Sequence, residues 1–385
     1  MRLLWVSHSL PPEGRPLDNI GGIQRVALEL QEALRSRPDL ELVPLVLRSA
    51  WSERHTRVPL FLVRALREVR QRVARGEVDA VLFSSMVTGS LAVPLRGALD
   101  RHSVPASIIA YGHDITMPSR AYQRWVPRVL RAADMVFPIS RATAAECVAR
   151  GLAASRCRVV TLGVDSARFP PAGERQAQRC ELVQALGDPH RPLPDDVLLL
   201  CGVGRHVRRK GFEWFVRQVM PLLPDDVHLW LAGDGPESTR IAEAVAQTGL
   251  GSRVRLIGRR SDSDVALLYR GADLFVMPNL HVPGDMEGFG LVMLEAGVNG
   301  LPVVAARLEG ITDVVTEGLN GTLVESGDAT AFASTILRYR DDRALLRHHS
   351  TAAAQFTTKA FGWERTVQEY AAALRELVEE RNRTR

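Results

Sequence analysis

The stretch Leu274-Phe275-Val276-Met277-Pro278-Asn279-Leu280-His281-Val282-Pro283-Gly284-Asp285-Met286-Glu287-Gly288-Phe289-Gly290-Leu291-Val292-Met293-Leu294-Glu295-Ala296 shows on a small scale how the chain is built. Leu274 to Met277 form a short unbroken apolar run, which reads as a strand buried on both faces, as in parallel sheets. A polar, glycine-rich loop follows, and a helix begins near Gly290. Glu287 precedes that helix, beside the N–H groups of Phe289, Gly290 and Leu291, where free donors and positive potential suit an anion. Glu295 falls in the second turn, its side chain tilted back toward the same helix end. Two carboxylates around an anion-binding helix end suit a polyhydroxylated ligand that carries phosphate, because each can accept from neighbouring hydroxyls. For one helix taken alone, an N-terminal acid with an unrelated surface Glu gives the same pattern.

The same alternation runs outward in both directions. Leu3–Ser7, Ala80–Phe83, Ala106–Ala110 and Met135–Phe137 read as strands in the first half. Val197–Cys201, Leu229–Ala232, Val254–Ile257 and Val303–Ala306 do so in the second. Helical spacing lies between several of them, as in Ile23, Val26, Ala27, Leu30, Ala33 and Leu34, which open directly after Gly21-Gly22. This predicts parallel α/β architecture. Between Phe169 and Pro194 the pattern breaks at Pro170-Pro171, Gly187, Pro189, Pro192 and Pro194. The expected organisation is therefore an α/β domain over 1–175, a linker over 176–194, a second α/β domain over 195–358 and a C-terminal helix over 359–385.

Composition narrows the function classes. With 46% hydrophobic and 24% charged among 385 residues, the chain is that of a folded globular protein. No apolar run reaches the ~18–20 residues that cross a bilayer. The opening Met1–Ser7 reads as a buried first strand rather than a signal-peptide core. Cys147, Cys157, Cys180 and Cys201 lack metal-knuckle or disulfide spacing, so reduced thiols and a cytoplasmic location are expected. The formal charge of +5 is uneven: residues 1–180 hold 26 Arg against 16 Asp and Glu, and the remainder is net −5. A basic first half suggests an anionic partner. Nucleic acid lacks support, because no recognition module or aromatic platform accompanies the charge. Two amphipathic segments fit a peripheral contact with anionic membrane, although the pattern favours surface helices packed on the first sheet. They are Val58–Arg75, with Leu62, Leu66, Val69 and Val73 as its stripe, and the run carrying Arg120, Arg124, Arg128 and Arg131.

A second loop carries chemistry. Gly202-Val203-Gly204-Arg205-His206-Val207-Arg208-Arg209-Lys210-Gly211 follows a strong strand, and Val207 stands where a dinucleotide fingerprint needs its third glycine. What remains is a cationic loop. All basic residues but Lys210 and Lys359 are Arg, so Lys210 stands out. An Arg fork and a Lys point charge, here Arg205 and Lys210, together suit a departing diphosphate. Arg208 and Arg209 read as solvated neighbours.

In this order and spacing the chain resembles the retaining glycosyltransferases of family 4, which have the GT-B fold of two facing Rossmann-like domains. The strongest match is Glu287-Gly288-Phe289-Gly290-Leu291 through Glu295, the family's Glu-x7-Glu motif. Gly204-Arg205 with Lys210-Gly211, Ala232 to Pro236, Tyr269 through Leu274, Gly21-Gly22, and Ile139-Ser140 through Asp165 support it. The resemblance implies that Arg205 and Lys210 contact the donor diphosphate and that Glu295 takes the ribose hydroxyls. Glu287 and the backbone of Gly288, Phe289, Gly290 and Leu291 would hold the transferred sugar and phosphate. Gly21 or Gly22 would close from the first domain, and Gly258-Arg259 would form the base-binding turn. His113, in Tyr111-Gly112-His113-Asp114, matches the family's His beside the donor sugar.

By that resemblance the reaction needs no metal and no cofactor beyond a UDP- or GDP-linked sugar. A hexose would pass to an unidentified acceptor, lipid-linked or part of a cell-envelope glycan, at the inner face of the cell membrane. The Phe361–Leu377 segment would return to the first domain as a helix. A GT-B-like nucleotide-sugar epimerase and a non-catalytic glycan- or membrane-binding scaffold are the competing readings. The Glu-x7-Glu match opposes the first, and joint retention of Arg205, Lys210 and Glu287 opposes the second.

Overall fold

Short apolar runs become strands wherever both faces can be covered by helices. The computed structural model describes residues 1–12, 22–50, 53–169, 175–188, 190, 193–194 and 196–383. They divide into two compact units, Met1–Gly163 with Phe361–Arg385, and Val164–Ala360.

The first unit is built on β1 (Arg2–Leu10), β2 (Glu41–Arg48), β3 (Ala80–Phe83), β4 (Ala106–Ala110) and β5 (Met135–Pro138). They form a sheet in the order β2-β1-β3-β4-β5, parallel throughout. Helices cover it, among them Gly22–Arg35, Arg54–Ala74, Ala92–Arg101 and Arg120–Ala132. Leu4, Val6, Val81, Phe83, Ile108 and Val136 meet Ala65, Val69, Leu95, Leu99 and Val129 in one buried cluster. Sequence periodicity missed β2. Pro44 interrupts its apolar run and is tolerated because β2 lies at the sheet edge, where Trp5 of β1 pairs with it in register.

The C-terminal helix Trp363–Arg383 belongs to this unit, as the sequence reading expected. Trp363 covers Gly163 with its ring, and its indole N–H donates to Glu29 at 2.8 Å. Tyr370 meets Phe137 edge to face, with centroids 5.0 Å apart, a geometry worth about 1 kcal/mol beyond burial. Arg381 pairs with both Asp100 and Asp134.

The second unit holds β6 (Leu198–Val203), β7 (Val227–Ala232), β8 (Val254–Gly258), β9 (Leu274–Met277), β10 (Val303–Ala306) and β11 (Gly321–Val324). Their order is β11-β10-β9-β6-β7-β8, again all parallel. This is the doubly wound arrangement whose strand order reverses between β6 and β9. The edge strand β11, Gly321-Thr322-Leu323-Val324 with its middle two residues half-buried, has no unbroken apolar run to mark it in the sequence.

The expected linker over 176–194 is replaced in its first part by a helix, Arg175–Leu186, that belongs to the second unit. Arg175 and Arg179, four residues apart on one helix face, both bind the carboxylate of buried Asp273, at 3.4 and 2.6 Å. Leu182 lies over Gly271. Prolines flanking this segment masked an ordinary docked helix. The units divide at 163/164 and 360/361.

Candidate functional site

Ligands of open parallel sheets sit beyond the carboxyl ends of the strands, where the order reverses. In the second unit that point lies between β6 and β9, so the loops after these two strands flank it. They are the two loops singled out in the sequence, and the backbone joins them. The Leu280 N–H donates to the Arg209 carbonyl at 2.9 Å. Gly211 lies at φ +66°, and a Cβ there would stand 1.9 Å from the Pro278 carbonyl oxygen. Only glycine supplies both the left-handed turn and this close approach.

The joined loops bring Lys210 and Glu287 together. Lys210 Nζ lies 2.6 Å from Glu287 Oε2, with both side chains buried. The Asn279 amide donates to the same oxygen at 3.1 Å. Burial alone would raise the Glu287 carboxyl, but Lys210 and Arg209 beside it hold it below the usual carboxylate range. Burial lowers the Lys210 ammonium, and Glu287 opposes that shift. Arg209, read from sequence as a solvated neighbour, is instead a third member of the cluster. It lies 3.5 Å from Glu287 and 3.1 Å from Asp285.

Eight residues on, Glu295 is buried in the helix Leu291–Val298, which Gly290 caps. The Tyr269 hydroxyl donates to its Oε2 at 3.2 Å, and Arg168 approaches its Oε1 at 3.6 Å. Phe289 is buried, Gly288 and Leu291 are half-buried, and the helix N-terminus opens beside them. Arg205 and Arg259 are exposed, the first on the loop after β6 and the second directly after β8. The Gly233 N–H donates to the Gly258 carbonyl at 2.8 Å, tying the loops after β7 and β8 together.

The remaining expected residues belong to the first unit. Gly22 opens the helix Gly22–Arg35 and is exposed, and Gly21 lies outside the described residues. His113 is exposed on the one-turn helix Gly112–Thr116 after β4. Its neighbour Asp114 accepts from the Met86 N–H at 3.2 Å, and burial pushes its carboxyl up to about 8.

Sequence reasoning missed a further pair beside the site. In Glu309-Gly310, Glu309 Oε2 accepts the Glu287 N–H at 2.5 Å, and the Gly310 N–H donates to the Glu287 carbonyl at 3.1 Å. The available signal was position. Glu309 and Gly310 follow β10, so they too lie beyond a strand's carboxyl end.

Residues 196–342 match the family model described as glycosyl transferases group 1, and residues 20–168 match glycosyltransferase family 4. A D-inositol 3-phosphate glycosyltransferase of Salinispora tropica is 34% identical over 246 residues, covering 60% of this chain and 48% of that protein. The chain thus spans about half the length of several curated relatives it matches. A second such enzyme, from Catenulispora acidiphila, is 30% identical over 307 residues, covering 77% of this chain and 69% of its own. Among solved structures, Anabaena Alr3699/HepE in complex with UDP-glucose superposes with a TM-score of 0.73 at 20% identity, covering 98% of this chain and 100% of that one. That likeness establishes the GT-B class of two Rossmann-like units. Two family descriptions matched in chain order, with a relative aligned over more than two thirds of its length, assign the molecule: the chain belongs to glycosyltransferase family 4.

Proposed function

We propose that the protein is a retaining hexosyltransferase that moves a sugar from a UDP- or GDP-linked donor, without metal or further cofactor. The observation that carries this reading is the buried Lys210–Glu287 pair at the sheet's reversal point, where two loops meet beside a helix N-terminus. A buried carboxylate held charged by two cations is an acceptor for sugar hydroxyls, and a buried ammonium is a site for phosphate charge.

In the proposed reaction the bond from the sugar anomeric carbon to the diphosphate oxygen breaks, and the carbon becomes oxocarbenium-like. The bonding electron pair leaves on the diphosphate. Lys210, Arg205 and the N-terminus of Leu291–Val298 stabilise that charge. The acceptor hydroxyl attacks from the face the diphosphate leaves, so configuration is kept, and its proton passes to a diphosphate oxygen. Glu287 and the backbone from Gly288 to Leu291 hold the sugar and phosphate. Glu295 takes the ribose hydroxyls, and the Gly258-Arg259 turn receives the base. His113 and the Gly22 backbone are assigned to substrate contacts made by the first unit.

Thermal unfolding with UDP-, GDP- and ADP-sugars tests the donor assignment. A donor at 100 times its Kd is expected to stabilise by about 2.7 kcal/mol, a shift of several degrees. The sugar released by slow hydrolysis should keep its anomeric configuration by NMR. Absence of a shift with every donor contradicts the reading, and an inverted product contradicts retention.

The basic first unit, and relatives named as D-inositol 3-phosphate glycosyltransferases, support an anionic acceptor such as a lipid-linked or envelope glycan. The proposed location is cytoplasmic, with peripheral contact at the inner membrane face. No described helix is long and apolar enough to cross a membrane. The helix Arg54–Ala74 exposes Leu60 (72%) and Val63 (54%) among exposed Arg57, Arg64, Arg67 and Arg70. Arg120, Arg124, Arg128 and Arg131 are likewise exposed on Arg120–Ala132. The protein is expected to sediment with anionic vesicles at low salt and to be released at high salt. Equal recovery with neutral and anionic vesicles contradicts the membrane contact.

A further inference from the structure

Glu309 stands in a conformation that favours glycine. Its φ is +47°, one of two positive values at non-glycine residues among those described. A side chain kept at such a position costs backbone strain, and this one is held by specific bonds. Its Oε2 accepts the Glu287 N–H at 2.5 Å, and its Oε1 faces His281 Nδ1 at 3.6 Å. The next residue completes the hold, as the Gly310 N–H donates to the Glu287 carbonyl at 3.1 Å. A Cβ at Gly310 would lie 2.0 Å from the Gly288 carbonyl oxygen, so the two backbones are in direct contact. Both polar groups of Glu287's own backbone are thus held by one dipeptide at the end of β10.

We infer that Glu309 is a positioning residue: with the Gly310 N–H it fixes the Glu287-Gly288 backbone, and so sets where the Glu287 carboxylate meets the donor sugar. This rests on the proposed role of Glu287 as a sugar-holding group. The Glu287 carboxylate is bonded on one side by Lys210 and Asn279, from the β6 and β9 loops, with the Arg209 guanidinium nearby at 3.5 Å. Those bonds fix the side-chain tip, while Glu309 fixes the backbone from which the chain springs. With both ends held, the carboxylate cannot follow a sugar that binds out of place. The titratable groups that face Glu309 among the described residues are His281 and Glu287, and burial raises its carboxyl against the Glu287 N–H bond.

The test separates sugar positioning from nucleotide binding and from stability. Glu309→Gly suits the left-handed backbone while deleting the carboxylate, so its unfolding temperature should stay near that of wild type. Its Kd for the nucleoside diphosphate alone should stay within about twofold of wild type, while kcat/KM for the nucleotide sugar falls about tenfold or more. Glu309→Gln, which keeps an acceptor oxygen at the same reach, should recover most of that loss. Glu309→Asp withdraws the acceptor without removing the charge and should show the same split as Gly. It serves as the second variant if Glu309→Gly folds poorly.

A Gly or Asp variant that retains wild-type kcat/KM overturns the inference. So does one that loses nucleotide affinity and thermal stability in step with activity, which is the behaviour of a purely structural residue. Failure of the functional reading looks different: wild-type protein itself would bind no nucleoside diphosphate and turn over no nucleotide sugar.

Discussion

Lys210→Met is expected to lower kcat with the preferred nucleotide sugar by about 10²–10³-fold, the usual effect of removing one preorganised charge-stabilising donor. The same change leaves Glu287 buried without its ammonium. Breaking a buried pair by removing one partner typically costs about 3–5 kcal/mol. With both side chains about nine-tenths buried, solvent screens this pair little. Stability and catalysis can be separated by Lys210→Met/Glu287→Gln, which removes both charges. The double variant should regain most of the lost stability and none of the activity.

The pair also sets an acid dependence. The folded-state Glu287 carboxyl is depressed below 4.5, so its contribution is present above the ordinary carboxylate range and is lost as pH falls through the folded value. The double variant should lack that part of the acid destabilisation. Thermal unfolding against pH with single-turnover rates checks all of this. A Lys210→Met protein with full transfer rate removes Lys210 from the mechanism.

Gly211→Ala is expected to damage the fold and the site together. A left-handed alanine costs about 1–2 kcal/mol, and a Cβ 1.9 Å from the Pro278 oxygen forces the β6 and β9 loops apart. A total near 3 kcal/mol, or roughly 6–12 °C in a unit of this size, follows. The loops carry Lys210 and Glu287, and a displacement of about 1 Å at reacting groups can cost about 100-fold in rate. Calorimetry and steady-state kinetics on the same preparation read both effects. An unfolding temperature and kcat equal to wild type contradict the close backbone approach.

The parts of this site that could be read from sequence share a physical reason. Leu198–Val203 and Leu274–Met277 are central strands, almost wholly buried, so their apolar runs are unbroken and the loops after them stand out. Lys210 stood out as one of two lysines in an arginine-rich chain. Glu287 and Glu295 were visible because seven intervening residues link them along one loop and helix. Edge strands β2 and β11 were hidden by Pro44 and by the lack of an unbroken apolar run, because an edge needs burial on fewer sides. The helix Arg175–Leu186 was obscured by flanking prolines, and the carboxylate that docks it, Asp273, lies almost a hundred residues away.

Arg209 and Glu309 were missed for another reason: each acts through a contact with Glu287 that chain separation conceals. Arg209 belongs to the loop after β6, and Glu309 follows β10. Pattern and spacing show which strand ends carry loops. They do not show which side chains from neighbouring strand ends converge on one carboxylate.

The most direct test of the central claim, that the Lys210–Glu287 pair is the donor-diphosphate and sugar site, is equilibrium binding of the nucleotide sugar to wild type and to Lys210→Met/Glu287→Gln. Isothermal titration would use the donor that most raises the unfolding temperature, on a double variant shown to be folded. At least a tenfold loss of affinity, about 1.4 kcal/mol, is the expected result. Equal affinity in the folded double variant would contradict the account and place the donor elsewhere on the protein.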